Sequence, residues 1–151
     1  MDGAIAILRE QTVLCSQLLK SFDELSAALR KNSLDAADIV RKIEPVIVQV
    51  NKNSARAQTF LNGVGAKNFG EFLDTQEDGI KRTLAVNLLR QSANLQSQLK
   101  NRTEAINRLT ANGKAFVAFS MNVMSGATAN NYGAAAQTGV RSNRRVFDAN
   151  V

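Results

Sequence analysis

Asp74, Glu77 and Asp78 place three carboxylates in one short stretch, where acid–base or metal chemistry would begin. Their setting points elsewhere. They precede a long helical segment, and acids ahead of a helix N-terminus are stabilised by its dipole. The chain has no histidine, which removes the commonest general base and metal ligand. Cys15 is the only cysteine, so neither an internal disulfide nor a cysteine-based zinc cluster is available. It falls within an apolar stripe and reads as a buried structural thiol. Gly63, Gly65 and Gly70 make no phosphate-binding loop, since no strand precedes them and no Gly-Lys-Ser/Thr follows. Arg141, Arg144 and Arg145 could meet phosphate, but no aromatic residues interleave them. The expectation is a chain that is not an enzyme and has no catalytic, metal or cofactor site.

Composition favours helices. Aromatic residues make up 5%, tryptophan is absent and proline occurs once. A length of 151 residues suits one domain with a real core. The net charge is +6 and unevenly spread: residues 1–60 carry 8 basic and 7 acidic side chains, whereas 80–125 carry 7 basic and only Glu104. The start, Met-Asp-Gly-Ala-Ile-Ala, has no basic leader, and no window nears about 18 consecutive apolar residues. A cytoplasmic protein without membrane insertion is expected.

Heptad periodicity organises the chain most visibly between Asp78 and Ser125. One seam reads Leu88, Leu95, Arg102, Leu109, Phe116, Val123, and a second Ala85, Ser92, Leu99, Ile106, Gly113, Ser120. A helix of that span would be about 70 Å long and needs partners along it. Residues 3–31 supply one, with Leu8, Gln11, Cys15, Leu18, Phe22, Leu25 and Leu29 on one stripe. After a turn at Lys31-Asn32-Ser33, with Asn32 or Ser33 placed to cap, Leu34–Leu61 supplies another. Its expected inner face is Ala36, Val40, Ile43, Ile47, Val50, Ser54, Ala57 and Leu61, with a kink at Pro45 and Gly63 as its stop. Residues 66–77, with Phe69, Phe72 and Leu73, read as one helical turn packed under the bundle end. The expected fold is all-α: an antiparallel three-helix bundle, formed by a helical hairpin plus one long C-terminal helix.

The character changes at Gly126. Residues 126–151 are rich in Ala, Asn, Gly, Ser and Thr, and carry too little apolar surface to offset their ordering entropy. The division expected is a helical domain over 1–125 and a flexible partner-binding tail over 126–151. Just before the boundary, Phe116, Phe119, Val123 and Met124 fit the spacing of a helix-in-groove contact. Asn112 stands ready to hydrogen-bond an incoming backbone, and Tyr132 to add an aromatic anchor.

The run Leu109-Thr-Ala-Asn112-Gly113-Lys-Ala-Phe116-Val-Ala-Phe119 resembles the C-terminal half of FlgN-type flagellar export chaperones. Nearly the whole chain is similar in layout: a leucine-rich hairpin, a long helix with an Asn-Gly step, an apolar stretch, then a tail. The tail's Tyr132-Gly133-Ala134-Ala135-Ala136-Gln137-Thr138-Gly139 departs from the family's Tyr-x-x-x-Gly spacing. The resemblance implies a cytoplasmic, non-enzymatic chaperone for the C-terminal segments of hook-associated proteins one and three. It implies delivery of those proteins to the flagellar export apparatus. Two other readings stay open on the residues alone: a coiled-coil scaffold that pairs with itself, and a basic helical nucleic-acid binder.

Overall fold

The computed structural model describes residues 1–31 and 34–109. These fold into α1 (Asp2–Arg30), α2 (Asp35–Val64), α3 (Phe69–Asp74) and α4 (Ile80–Leu109), with no strand among the described residues. The all-α class is as expected. Asn32, Ser33 and everything after Leu109 lie outside the described residues, including the last third of the expected long helix and the expected tail.

Among the described residues the central element is α1, which packs against both α2 and α4. A helix that meets one neighbour buries a narrow seam. One that meets two buries a broad face. In α1 the buried set includes Ala4, Leu8, Gln11, Cys15, Leu18, Phe22 and Leu25, and also Ile5, Ile7, Thr12, Leu14, Ser26 and Ala28. Thr12 on one flank reaches Ser92 of α4, and the Ile7 carbonyl on the other accepts from Asn53 of α2. The backbones of α2 and α4 both lie close along α1 but scarcely approach each other.

Cross-helix contacts set the directions. Glu10 pairs with Arg56 and Ile7 with Asn53, so α2 runs antiparallel to α1. Asp2 pairs with Lys81, Thr12 with Ser92 and Asp23 with Arg102, so α4 runs parallel to α1 at an offset of about 80 residues. The seam Ala85, Ser92, Leu99, Ile106 is buried as its spacing predicts. The neighbouring seam is not: Leu88 and Leu95 are half-buried, Arg102 is exposed beside Asp23, and Leu109 is 37% exposed.

Helix α2 runs continuously from Asp35 to Val64 with Pro45 inside it. Proline cannot donate to the carbonyl four residues back, but position 45 faces solvent, where water can take that carbonyl. The helix also runs past Gly63, and its stop is Gly65, whose φ is positive at 71°. The Ala66 amide donates to the Leu61 carbonyl and the Gly65 amide to that of Asn62, the paired bonds of a Schellman cap. Gly63 sits inside the helix because the left-handed residue must stand one step beyond its last turn.

Two apolar clusters form along the bundle. The base cluster joins Ile5 and Leu8 of α1 to Leu61 of α2, Phe69 and Leu73 of α3, and Ala85 of α4. The far cluster joins Leu18, Phe22 and Leu25 to Ile43, Ile47, Val50, Leu99 and Ile106. Full burial of side chains this size is worth about 1.5–3 kcal/mol each. The Phe-rich connector packs as core, with Phe69 and Phe72 both buried and Phe60 set against them at 5.9 Å and 5.2 Å.

Candidate functional site

All six residues expected to bind a partner, Asn112, Phe116, Phe119, Val123, Met124 and Tyr132, lie outside the described residues, as do Arg141, Arg144 and Arg145. What the described residues supply is the support that leads up to them and the polar groups built into it.

The acids ahead of the long helix serve its anchorage. That helix starts at Ile80 rather than Asp78, and the loop before it is drawn together by Arg82. Its Nε donates to the Leu73 carbonyl at 2.9 Å, and its guanidinium reaches Asp78 at 3.2 Å and Asp74 at 3.9 Å. One side chain thus ties the C-terminus of α3 to the first turn of α4. Asn68 starts α3 by accepting from the Glu71 amide at 2.8 Å, while Glu71 accepts from the Lys67 amide at 2.7 Å. Asp74 and Asp78 are therefore already committed to a cation of the chain itself. Among the described residues no group of three His, Cys, Asp or Glu side chains is placed to hold a metal.

Pairing also consumes much of the basic excess of α4. Lys81, Arg82 and Arg102 engage acids of α1, α3 or the preceding loop, leaving Arg90, Lys100 and Arg108 as its other described cations. Exposed pairs like these add little stability, but they lower the positive potential an anionic polymer would meet.

The interior holds a band of polar side chains. Asn53, 1% exposed, donates to the Ile7 carbonyl at 3.1 Å and to Gln11 Oε1 at 3.3 Å. Gln11 in turn lies 3.7 Å from Cys15 Sγ. Thr12 and Ser92 share a hydrogen bond of 2.9 Å, and Thr12 also donates to the Leu8 carbonyl. Gln11 stands out in the sequence as the polar entry of an otherwise apolar stripe, and Ser92 as the polar entry between Ala85 and Ile106 of its seam. Asn53 does not: the expected face takes Ser54, whereas the structure buries Asn53 and leaves Ser54 half-buried. The signal was the flank Ile39, Val46, Asn53 and Phe60 at seven-residue spacing, which turns toward α1.

Cys15 is fully buried in the far cluster, as its stripe position implies. Burial pushes its thiol up to about 12, with hydrogen bonds from Gln96 and Gln11 opposing the shift. A thiol held neutral at physiological pH is neither a nucleophile nor a metal ligand. Because the thiol ionises more readily unfolded, the native state loses stability as pH rises above the ordinary thiol value toward 12. Cys15→Ser is expected to remove that alkaline component in denaturant titrations while preserving partner binding. A variant with the same alkaline decline, or one that folds but no longer binds, would show the thiol's role to be misjudged.

At the base, an open depression of about 420 Å³ is lined by Met1, Gln76, Glu77, Gly79, Ile80, Lys81 and Arg82. Its two cations are those already paired with Asp2, Asp74 and Asp78. No helix among the described residues is long and apolar enough to cross a membrane. Comparison with known proteins returns no matching family model, no matching curated protein and no matching solved structure.

Proposed function

We propose that the chain is a non-enzymatic helical binding module, and specifically a flagellar export chaperone for the C-terminal segments of hook-associated proteins. In this reading α1, α2 and α4 form the three-helix bundle, the long helix continues past Leu109, and residues 126–151 are the flexible tail. The module works in the cytoplasm without a cofactor and presents its cargo to the export apparatus. The resemblance of the sequence around Asn112 and Phe116 names the cargo, and the order of a hairpin followed by a long helix supports it.

One observation carries the binding surface. With α4 parallel to α1 at an offset of about 80 residues, the end of α1 at Arg30 is level with Leu109. The hairpin that covers the buried seam up to Ile106 is exhausted there. Phe116, Phe119, Val123 and Met124 follow in the sequence, with the i, i+3, i+7 and i+8 spacing of an apolar face and no further length of α1 to cover them. Met121 and Met124 suit such a face to more than one related cargo.

Truncation after Ser125, Phe119→Ala and Met124→Ala test the assignment when cargo affinity and melting temperature are measured together. Phe119→Ala is expected to weaken binding by about 2 kcal/mol with an unchanged melting temperature. A matched loss of stability would make these residues core. Full-strength binding by all three variants would sink the surface.

A further inference from the structure

We propose that the band of buried polar residues at mid-bundle divides the protein into two units that open separately, and that the far unit opens while the base stays closed. The band crosses all three long helices at one level: Gln11 and Thr12 in α1, Asn53 in α2, and Ser92 in α4. It falls between the two apolar clusters, which share no residue. Apolar contact is what transmits cooperativity along a packed core, and here it is interrupted. The bonds that replace it are incompletely matched, because Asn53 Oδ1 accepts from no protein donor despite full burial.

The two units are anchored unequally. The base has α3 packed beneath it, the Schellman cap at Gly65, and Arg82 clasping the Leu73 carbonyl. Among the described residues no short helix is packed across the far unit as α3 is across the base. Its part of α2 begins without a side-chain cap, carries Pro45, and leaves Ala36, Ile39 and Val40 only half-buried. Its ion pairs Asp23 with Arg102 and Asp38 with Arg41 are both exposed to solvent. Local openings with free energies below global unfolding are drawn from such weakly tied regions. Opening the far unit would present Phe22, Ile43, Ile47 and Ile106, an apolar surface suited to an amphipathic helix. That use rests on the chaperone reading, whereas the opening itself does not.

Native-state hydrogen exchange on the full chain, at low denaturant concentrations, tests the division. Amides of residues 18–25 and 43–50 are expected to show protection at least about 10-fold lower than those of 5–8 and 57–61. A paired Gln11→Leu and Asn53→Leu variant is expected to shrink that gap by joining the clusters. Thr12→Val with Ser92→Ala provides a second, smaller change to the same band. Uniform protection in the natural protein, or a base less protected than the far unit, would overturn the proposal. So would a gap that survives whichever band variants fold. Loss of the gap without loss of cargo binding would retain the division and detach it from the chaperone reading.

Discussion

Leu18→Asp is expected to unfold the protein at neutral pH. Leu18 is fully buried at the centre of the far cluster, among side chains from α1, α2 and α4. A carboxylate there has no cation to pair with among the cluster residues, and burying it unpaired costs several kcal/mol or forces it to take a proton. A domain of this size has about 5–15 kcal/mol in all. Loss of the apolar side chain adds to the cost, because the helices on either side cannot both close on a smaller polar group. Leu95→Asp is the instructive partner. Leu95 lies on the seam that remains half-buried, so its carboxylate can turn to water and the melting temperature should fall by much less. Circular dichroism melts of the two variants check both statements. Equal effects would mean that the two seams of α4 are equally covered.

Phe69→Ala is expected to cost about 3–5 kcal/mol, the usual range for a buried phenylalanine. Phe69 is 1% exposed, stacks on Phe60 with ring centroids 5.9 Å apart, and belongs to the base cluster. A helix as short as α3, 6 residues, has almost no stability of its own, so its place depends on that burial. Arg82 would lose its acceptor geometry at the Leu73 carbonyl once α3 loosens. Chemical denaturation should register the loss, with Val48→Ala, at a position 50% exposed, as the near-neutral control. Near-natural stability for Phe69→Ala would show that α3 is an appendage of the bundle and not part of its core.

Periodicity made most of this fold readable. Every residue of the expected α1 stripe from Leu8 to Leu25 is buried, and the Ala85 to Ile106 seam is buried throughout. Such patterns are legible because a helix can hide only one face from a given neighbour. Periodicity says less about which helix lies in the middle. The longest heptad run lies at residues 78–125, but among the described residues the broad buried face of α1 decides the centre, and Thr12 and Ile7 form its flanks. The stop at Gly65 was hidden by Gly63, since two glycines one residue apart offer the same local signal and only the capping bonds choose between them. Asn53 was hidden for a related reason: Asn and Ser side by side both look polar, and the register of α2 against α1 decides which is buried. The expected partner residues begin at Asn112, beyond the described residues, so their support comes from the sequence and from where α1 ends.

Isothermal titration of the purified chain with the C-terminal segment of a hook-associated protein of the same organism tests whether the chain is a chaperone for that cargo. Saturable binding is expected, with a negative heat-capacity change from apolar burial and little loss of affinity as salt is raised. No binding at any concentration reached, or binding only to nucleic acid with a steep salt dependence, would contradict the chaperone reading.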